Sequence, residues 1–456
     1  MLSKVSALRA RLNGPALLAL ARSEKVRNTL LYLGASAFGA ALSMLTIPLF
    51  SRYLSRADFG VVGYVTSINA FLAPFFTLSV NSWYIREYYR EPDQTRRDAL
   101  LSTIVAYTLA WGVGLTLMLA GVGALVFRAA EIRVAFAPFM LTALAGNLGL
   151  GVFAYATLQY RIQQRAGAFA ALTIAQALLQ NLLGLWLVIQ FRQGPEGRLA
   201  GTAAGTLLAG AVALVVLWPR LRWRFDAAVL RPALRFSVPL IPVALIALLF
   251  DTLDRVFLER LRFPLDQIGL YNVAMQYGGI INILALSIYR TYEPTYFKLA
   301  ADGAYGRMNR SFIAIIGLFA GTALVLIGLA GFVIDVLTHG KFGPSVHLSR
   351  VLLVGFFLKA VYQLGGVLLV TTGRTKQLLW NSLIGLALYA AASYYFLVWL
   401  GVEGAAWAKL VPVAAMLVLA VTQSGQARHF RAMLFAATLA TAVLTLAVLA
   451  FGAATP

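Results

Sequence analysis

The chain has 456 residues, 60% of them hydrophobic and only 12% charged, with a formal net charge of +21 and no cysteine. Apolar stretches of about 20 residues recur from end to end, which excludes a soluble core and predicts an all-α integral membrane protein. Basic cytoplasmic loops account for the positive charge without a nucleic acid partner, and the lack of cysteine excludes disulfides and thiolate metal sites.

Residues 1–27 carry Lys4, Arg9, Arg11, Arg22, Lys25 and Arg27 around a short apolar patch, Pro15 to Ala21. The patch is too brief for a cleavable signal core, so this segment reads as a cytoplasmic amphipathic N-terminus lying in the membrane interface. Spanning helices are predicted at about 28–50, 60–84, 99–121, 134–158, 167–191 and 199–218, an N-lobe of six over 28–218. A basic cytoplasmic linker, 219–235, leads to a C-lobe of six over 236–425, with spans at about 236–258, 267–292, 311–336, 347–371, 376–399 and 402–423. An extra helix follows in 426–456, from the apolar run Met433 to Phe451. Thirteen spans result, within an expectation of about 12 to 14. With the N-terminus inside, Arg86, Arg90, Arg96, Arg97, Arg220, Arg222, Arg224, Arg231 and Arg235 fall on the cytoplasmic side.

The halves repeat each other at a shift of roughly 205 to 210 residues. Arg52, Asp58, Gly60 and Tyr64 answer Arg255, Asp266, Gly269 and Tyr271; Gly194, Glu196 and Gly197 answer Gly401, Glu403 and Gly404; Arg165 answers Arg374. Six helices per unit is an even number, so the lobes are expected to be parallel, with a central cavity between them.

Charge inside these spans needs a reason, because one Asp, Arg or Lys at the centre of a spanning helix costs roughly 2.5 to 3.5 kcal/mol. Residues 251–298 concentrate such charge in Asp251, Asp254, Arg255, Arg290 and Glu293. Asp251 and Arg255, four apart, share a helix face and form either a self-neutralised pair or part of a cavity wall. Lys359 stands near the centre of its span in VLLVGFFLKAVYQLGG, with no acid on its own helix. The three histidines, His339, His347 and His429, show no ligand spacing, so neither metal nor cofactor is expected, and no Walker motif points to ATP.

The stretches IPLFSRYLSRADFGVVGYV, LDRVFLERLRFPLDQIGLYNVAMQY and GVEGAAWAKL resemble the Wzx-type polysaccharide and O-antigen flippases of the multidrug/oligosaccharidyl-lipid/polysaccharide exporter superfamily. The helix layout extends that likeness over about residues 28–425. The resemblance implies a bilobed, alternating-access carrier of the bacterial cell inner membrane. Its implied cargo is an undecaprenyl-pyrophosphate-linked oligosaccharide, moved from the inner to the outer leaflet, and its implied partners are membrane lipids and a polysaccharide polymerase complex. The family's helix count, twelve or fourteen, differs from the thirteen read here.

A pyrophosphate crossing hydrocarbon needs cations in a hydrated cavity. Arg86 and Arg290, ending the second and eighth spans, are candidates for a cytoplasmic loading clamp, with snorkelling to the headgroups as the alternative. Lys359 is the strongest candidate for the cavity itself, against a structural pair with an acid on a neighbouring helix. Arg255 is placed at mid-cavity, Arg52 with Arg56 near the outer release side, and Lys409 either in the cavity or snorkelling. Asp251, Asp254 and Glu293 are the acids available for proton or sodium coupling; membrane potential alone favours anion export by about 2.3 kcal/mol per charge per 100 mV. Tyr271, Tyr277, Asn147, Asn181 and Gln363 offer rings and amides to sugars. Two rivals share the superfamily, a lipid II flippase and a cation-coupled multidrug antiporter. An integral-membrane glycosyltransferase would need a large outer loop, and no connection is long enough to supply one.

Overall fold

The computed structural model describes residues 24–222 and 225–453, and every regular element within them is helical. The predicted interfacial helix falls, up to residue 23, outside the described residues. The N-terminal half comprises α1 (Glu24–Leu45), α2 (Ile47–Tyr53), α3 (Arg56–Thr77), α4 (Val80–Arg90), α5 (Gln94–Ala129), α6 (Leu141–Ile162), α7 (Ala166–Gln190) and α8 (Gly194–Leu217). A linker helix, α9 (Ala227–Ser237), packs on α4 and α5. The C-terminal half comprises α10 (Ile241–Arg260), α11 (Leu265–Gly278), α12 (Ile280–Ala301), α13 (Tyr305–Thr338), α14 (Ser345–Thr371), α15 (Thr375–Leu400), α16 (Val402–Ala408), α17 (Leu410–Gln423) and α18 (Ala427–Ala453).

Among the described residues, eleven stretches are long and apolar enough to cross a membrane. The predicted spans built on α10 and on α11–α12 are not in that set. For α10 the reason is charge, since Asp251, Asp254, Arg255, Glu259 and Arg260 all lie on its 20 residues.

Several predicted spans are broken helices. The second divides into α3 and α4 at Leu78 and Ser79, both left-handed with φ of 45° and 56°, a conformation costly for residues with a Cβ. The eighth divides at Gly279 into α11 and α12. In the twelfth, Pro412 has no N–H for the carbonyl one turn back, and the helix breaks just ahead of it, at Lys409. Local chemistry fixes the start of α3 as well: the Ser55 hydroxyl accepts from the Asp58 N–H (3.1 Å) while the Asp58 carboxylate accepts from the Ser55 N–H (2.7 Å), a reciprocal cap.

In the C-terminal half α14 forms the centre, packed against α11, α12, α13, α17 and α18, and it is the most buried of the eleven spans. The halves meet where α3 lies on α10 and α11 and where α2 lies on α13. The α3–α11 crossing depends on two glycines in reciprocal positions. A Cβ on Gly60 would enter the Leu265 carbonyl, and one on Gly269 would enter the Arg56 carbonyl, so only hydrogen permits this approach. Gly269→Val is therefore expected to part α3 from α11 and to lower stability by at least about 1–3 kcal/mol. Thermal unfolding in detergent reads this directly, and an unshifted transition would show that the crossing tolerates a side chain.

Candidate substrate site between the halves

The site starts from α10, where Asp251, Asp254 and Arg255 point to different neighbours. Asp254 is fully buried and has its partners close at hand. Its carboxylate accepts the Tyr271 hydroxyl from α11 at 2.6 Å, the Lys409 ammonium from the α16–α17 break at 2.9 Å and the Arg255 N–H at 2.8 Å. Lys409 also donates to the Phe250 carbonyl (2.8 Å) and lies 5.0 Å from the centre of the Tyr389 ring, which stacks on Phe250. The helix break at Lys409 thus delivers an ammonium to a carboxylate inside the protein rather than letting it snorkel.

Asp251 behaves differently. Its side chain is 43% exposed and meets the Lys359 ammonium of α14, itself 29% exposed, at 2.5 Å. Lys359, which has no acid on its own helix, is therefore paired across helices. Arg255 does not neutralise Asp251: its Nη1 donates to the Asp251 backbone carbonyl (2.8 Å) and to Ser67 Oγ of α3 (2.8 Å), and its nearest carboxylate contact is Asp254 at 4.0 Å.

Three cavities run through this region. One of about 390 Å³ lies within the C-terminal half, where Lys359, Asp251, Gln363, Ser382 and Tyr362 share a mostly apolar wall that includes Ile246, Leu379 and Met416. A second, about 320 Å³, lies between the halves and is lined by Thr66 and Ser67 of α3, Asp251 and Arg255 of α10, and Asn272, Gln276 and Asn282 of α11–α12. A third, about 180 Å³, lies within the N-terminal half around Thr66, Asn69, Asn147, Gln180 and Thr206. Asp251 belongs to both the first and the second, and Thr66 to both the second and the third. Around the middle cavity, Arg255 Nε and Asn282 Oδ1 are buried with no hydrogen-bond partner among the described residues. Such groups are costly unless something else meets them.

One end of the molecule is tied by two clasps in corresponding places of the halves. In the first, Arg52 Nη2 lies 3.0 Å from His339 Nε2, Arg56 Nε donates to the Lys341 carbonyl (2.6 Å), and the Lys341 ammonium donates to the Ser51 (3.0 Å) and Leu54 carbonyls. Burial pushes the Lys341 ammonium below the ordinary lysine range, Asp58 opposing this and Arg56 adding to it. In the second, the buried Glu259 carboxylate accepts the Arg133 N–H (3.0 Å), Arg133 Nη2 donates to the Phe263 carbonyl (2.5 Å), and Arg262 pairs with Glu131. The turns after α2 and α10 each grip the loop that follows a long helix of the other half.

The remaining candidates lie elsewhere. Arg86 is exposed, 3.8 Å from Glu87 and over the Phe236 ring of α9 at 4.4 Å. The side chains of Arg290 and Glu293 lie outside the described residues. Tyr271 is committed to Asp254 and Tyr277 to the Leu326 carbonyl (2.7 Å), while Asn181 accepts from Thr46 at 3.0 Å. Asn147 and Gln363 do face cavities. The polar residues of the middle cavity, Thr66, Ser67, Asn272, Gln276 and Asn282, carry no distinguishing mark in the sequence. Their signal is weak, being uncharged side chains on helices otherwise read as packing faces.

Buried and half-exposed carboxylates should respond differently to neutralisation. Asp254→Asn strands the Lys409 charge inside the protein, at an expected cost of about 3–5 kcal/mol. Asp251→Asn should cost about 1 kcal/mol or less, because water reaches its pair. Thermal melts of both variants separate the two, and equal destabilisation would contradict the division.

Comparison with known proteins places this geometry in context. The family described as "Polysaccharide biosynthesis protein" matches residues 25–299, while no curated protein matches the sequence. Among solved structures, the chain is similar to the lipid II flippase MurJ in an inward closed conformation, with a TM-score of 0.73, 14% identity and coverage of 93% of this chain and 98% of that one. It is also similar to an inward-facing multidrug resistance MATE family transporter of the MOP superfamily (TM-score 0.67, 14% identity, 89% and 95% covered). A Vibrio cholerae MATE transporter, VcmN, in its bent form follows (TM-score 0.52, 13% identity, 93% and 100% covered).

Proposed function

The chain belongs to the polysaccharide biosynthesis protein family, and we propose that it carries an undecaprenyl-pyrophosphate-linked oligosaccharide from the inner to the outer leaflet of the bacterial cytoplasmic membrane. The observation that carries this reading is the order of the three cavities. Amides and hydroxyls line the space in and beside the N-terminal half, a guanidinium and a carboxylate stand between the halves, and an ammonium at an apolar wall completes the series. An amphiphile with a sugar, an anionic head and a hydrocarbon tail fits that order. Sugar hydroxyls exchange water for Asn, Gln and Thr groups, the pyrophosphate takes Lys359 with Arg255 one cavity wall away, and isoprene units lie on Ile246, Leu379 and Met416.

The clasps support an alternating-access reading. With both closed at the end assigned as outer, loading is assigned to the cytoplasmic side, where Arg86 and its sequence counterpart Arg290 are the proposed clamp for the headgroup. Release requires the Arg52–His339 and Arg133–Glu259 contacts to part together with the glycine crossing beside them. Head-group negative charge moving outward is favoured by the membrane potential, so the potential supplies a driving force without ATP.

A lipid II flippase is the second reading, favoured by the similarity to MurJ and by the same pyrophosphate requirement. Native mass spectrometry of purified protein with each lipid decides between them. The oligosaccharide lipid should be retained selectively, and Lys359→Ala should lower its retention at least tenfold. Selective retention of lipid II would transfer the function to cell-wall synthesis, and retention of neither would remove both readings.

A further inference from the structure

Two carboxylates one helical turn apart are held in very different ways. Asp254 has no exposed surface, and its oxygens are taken up by Tyr271, Lys409 and the Arg255 N–H. Asp251 makes one described side-chain contact of this kind, with Lys359, and both side chains of that pair are partly open to the cavities. Position matters as much as exposure. Asp251 lines both the cavity between the halves and the cavity in the C-terminal half, whereas Lys359 lines only the latter. The Asp251 carboxylate therefore stands between Lys359 and an anion arriving from the space between the halves.

We infer that Asp251 is a tethered competitor: its carboxylate occupies the anion site on Lys359 in the empty carrier and yields that site to the anionic head of the substrate. The inference rests on the proposed function for the identity of that head and adds how the site is regulated. Two consequences follow from elementary electrostatics. The empty site is self-neutralised, so the carrier resets without an uncompensated ammonium inside a membrane-spanning bundle. The loaded site must also lose its anion against a competitor that is always present at high effective concentration, so release at the outer leaflet is assisted by the returning Asp251. Asp254 is unable to play this part, since freeing it would leave Lys409 buried and unpaired.

The test measures equilibrium binding of undecaprenyl pyrophosphate, without sugar, to the purified full chain in detergent, with undecaprenol as the uncharged control. Asp251→Asn keeps the shape and removes the competitor, so affinity for the pyrophosphate lipid should rise about fivefold, the size of a partly exposed ion pair, and affinity for undecaprenol should stay put. Dissociation should slow by a similar factor. Unchanged or weaker pyrophosphate binding, or an equal gain for undecaprenol, overturns the inference. Should the Asn variant not fold, Asp251→Ser repeats the measurement with the same expected gain and the same overturning results. A wild-type protein that binds undecaprenyl pyrophosphate but fails to translocate the oligosaccharide lipid sinks the proposed function and leaves this comparison standing.

Discussion

The structure depends on one buried carboxylate. Asp254 lies on a helix whose length and position suit a membrane span and whose charge does not, and an unpaired ion there would be expelled or neutralised. Its partners come from other elements: Tyr271 from α11 and Lys409 from the α16–α17 break. Satisfying Asp254 therefore sets how α10, α11 and the last helices of the half sit against one another. The same stretch of α10 brings Asp251 and Arg255 to the cavity walls.

A second constraint is the close approach of the halves. Gly60 and Gly269 let α3 and α11 cross at backbone distance, and the two clasps reinforce that contact at one end. Arg56 takes part in both the crossing and a clasp, so the crossing and the clasps hold the same end of the halves together. The fold is similar to that of MurJ and of a MATE family transporter, and eleven of its described helical stretches are long and apolar enough to cross a membrane.

Much of this is legible in the sequence, for identifiable reasons. Hydropathy reports spans because a bilayer fixes their length, and charge within them is conspicuous because the bilayer penalises it; Asp251, Asp254, Arg255, Lys359 and Lys409 all stand out this way, and all five meet partners across helices or line cavities. Partner choice is not legible. Nothing in the spacing tells that Asp251 reaches Lys359 on α14, or that Lys409 turns inward to Asp254, because helix neighbours 100 or more residues apart are set by packing. The i,i+4 rule pairs Asp251 with Arg255, and tertiary contacts override it. Helix breaks at Leu78 and Gly279 are likewise invisible to an apolar run that continues across them. The amide-rich wall of Asn272, Gln276 and Asn282 hides because uncharged polar residues occur in membrane helices without marking a site.

On the proposed function, Lys359 holds the charged head of a lipid-linked oligosaccharide during its passage between leaflets. Reconstitution into liposomes carrying undecaprenyl-pyrophosphate oligosaccharide tests it most directly, with enzymatic access to the sugar reporting which leaflet holds it. The account expects the wild-type protein to move the lipid, Lys359→Ala to abolish movement at normal protein abundance, and Lys359→Arg to retain part of it. Transport by Lys359→Ala at the wild-type rate would contradict the account.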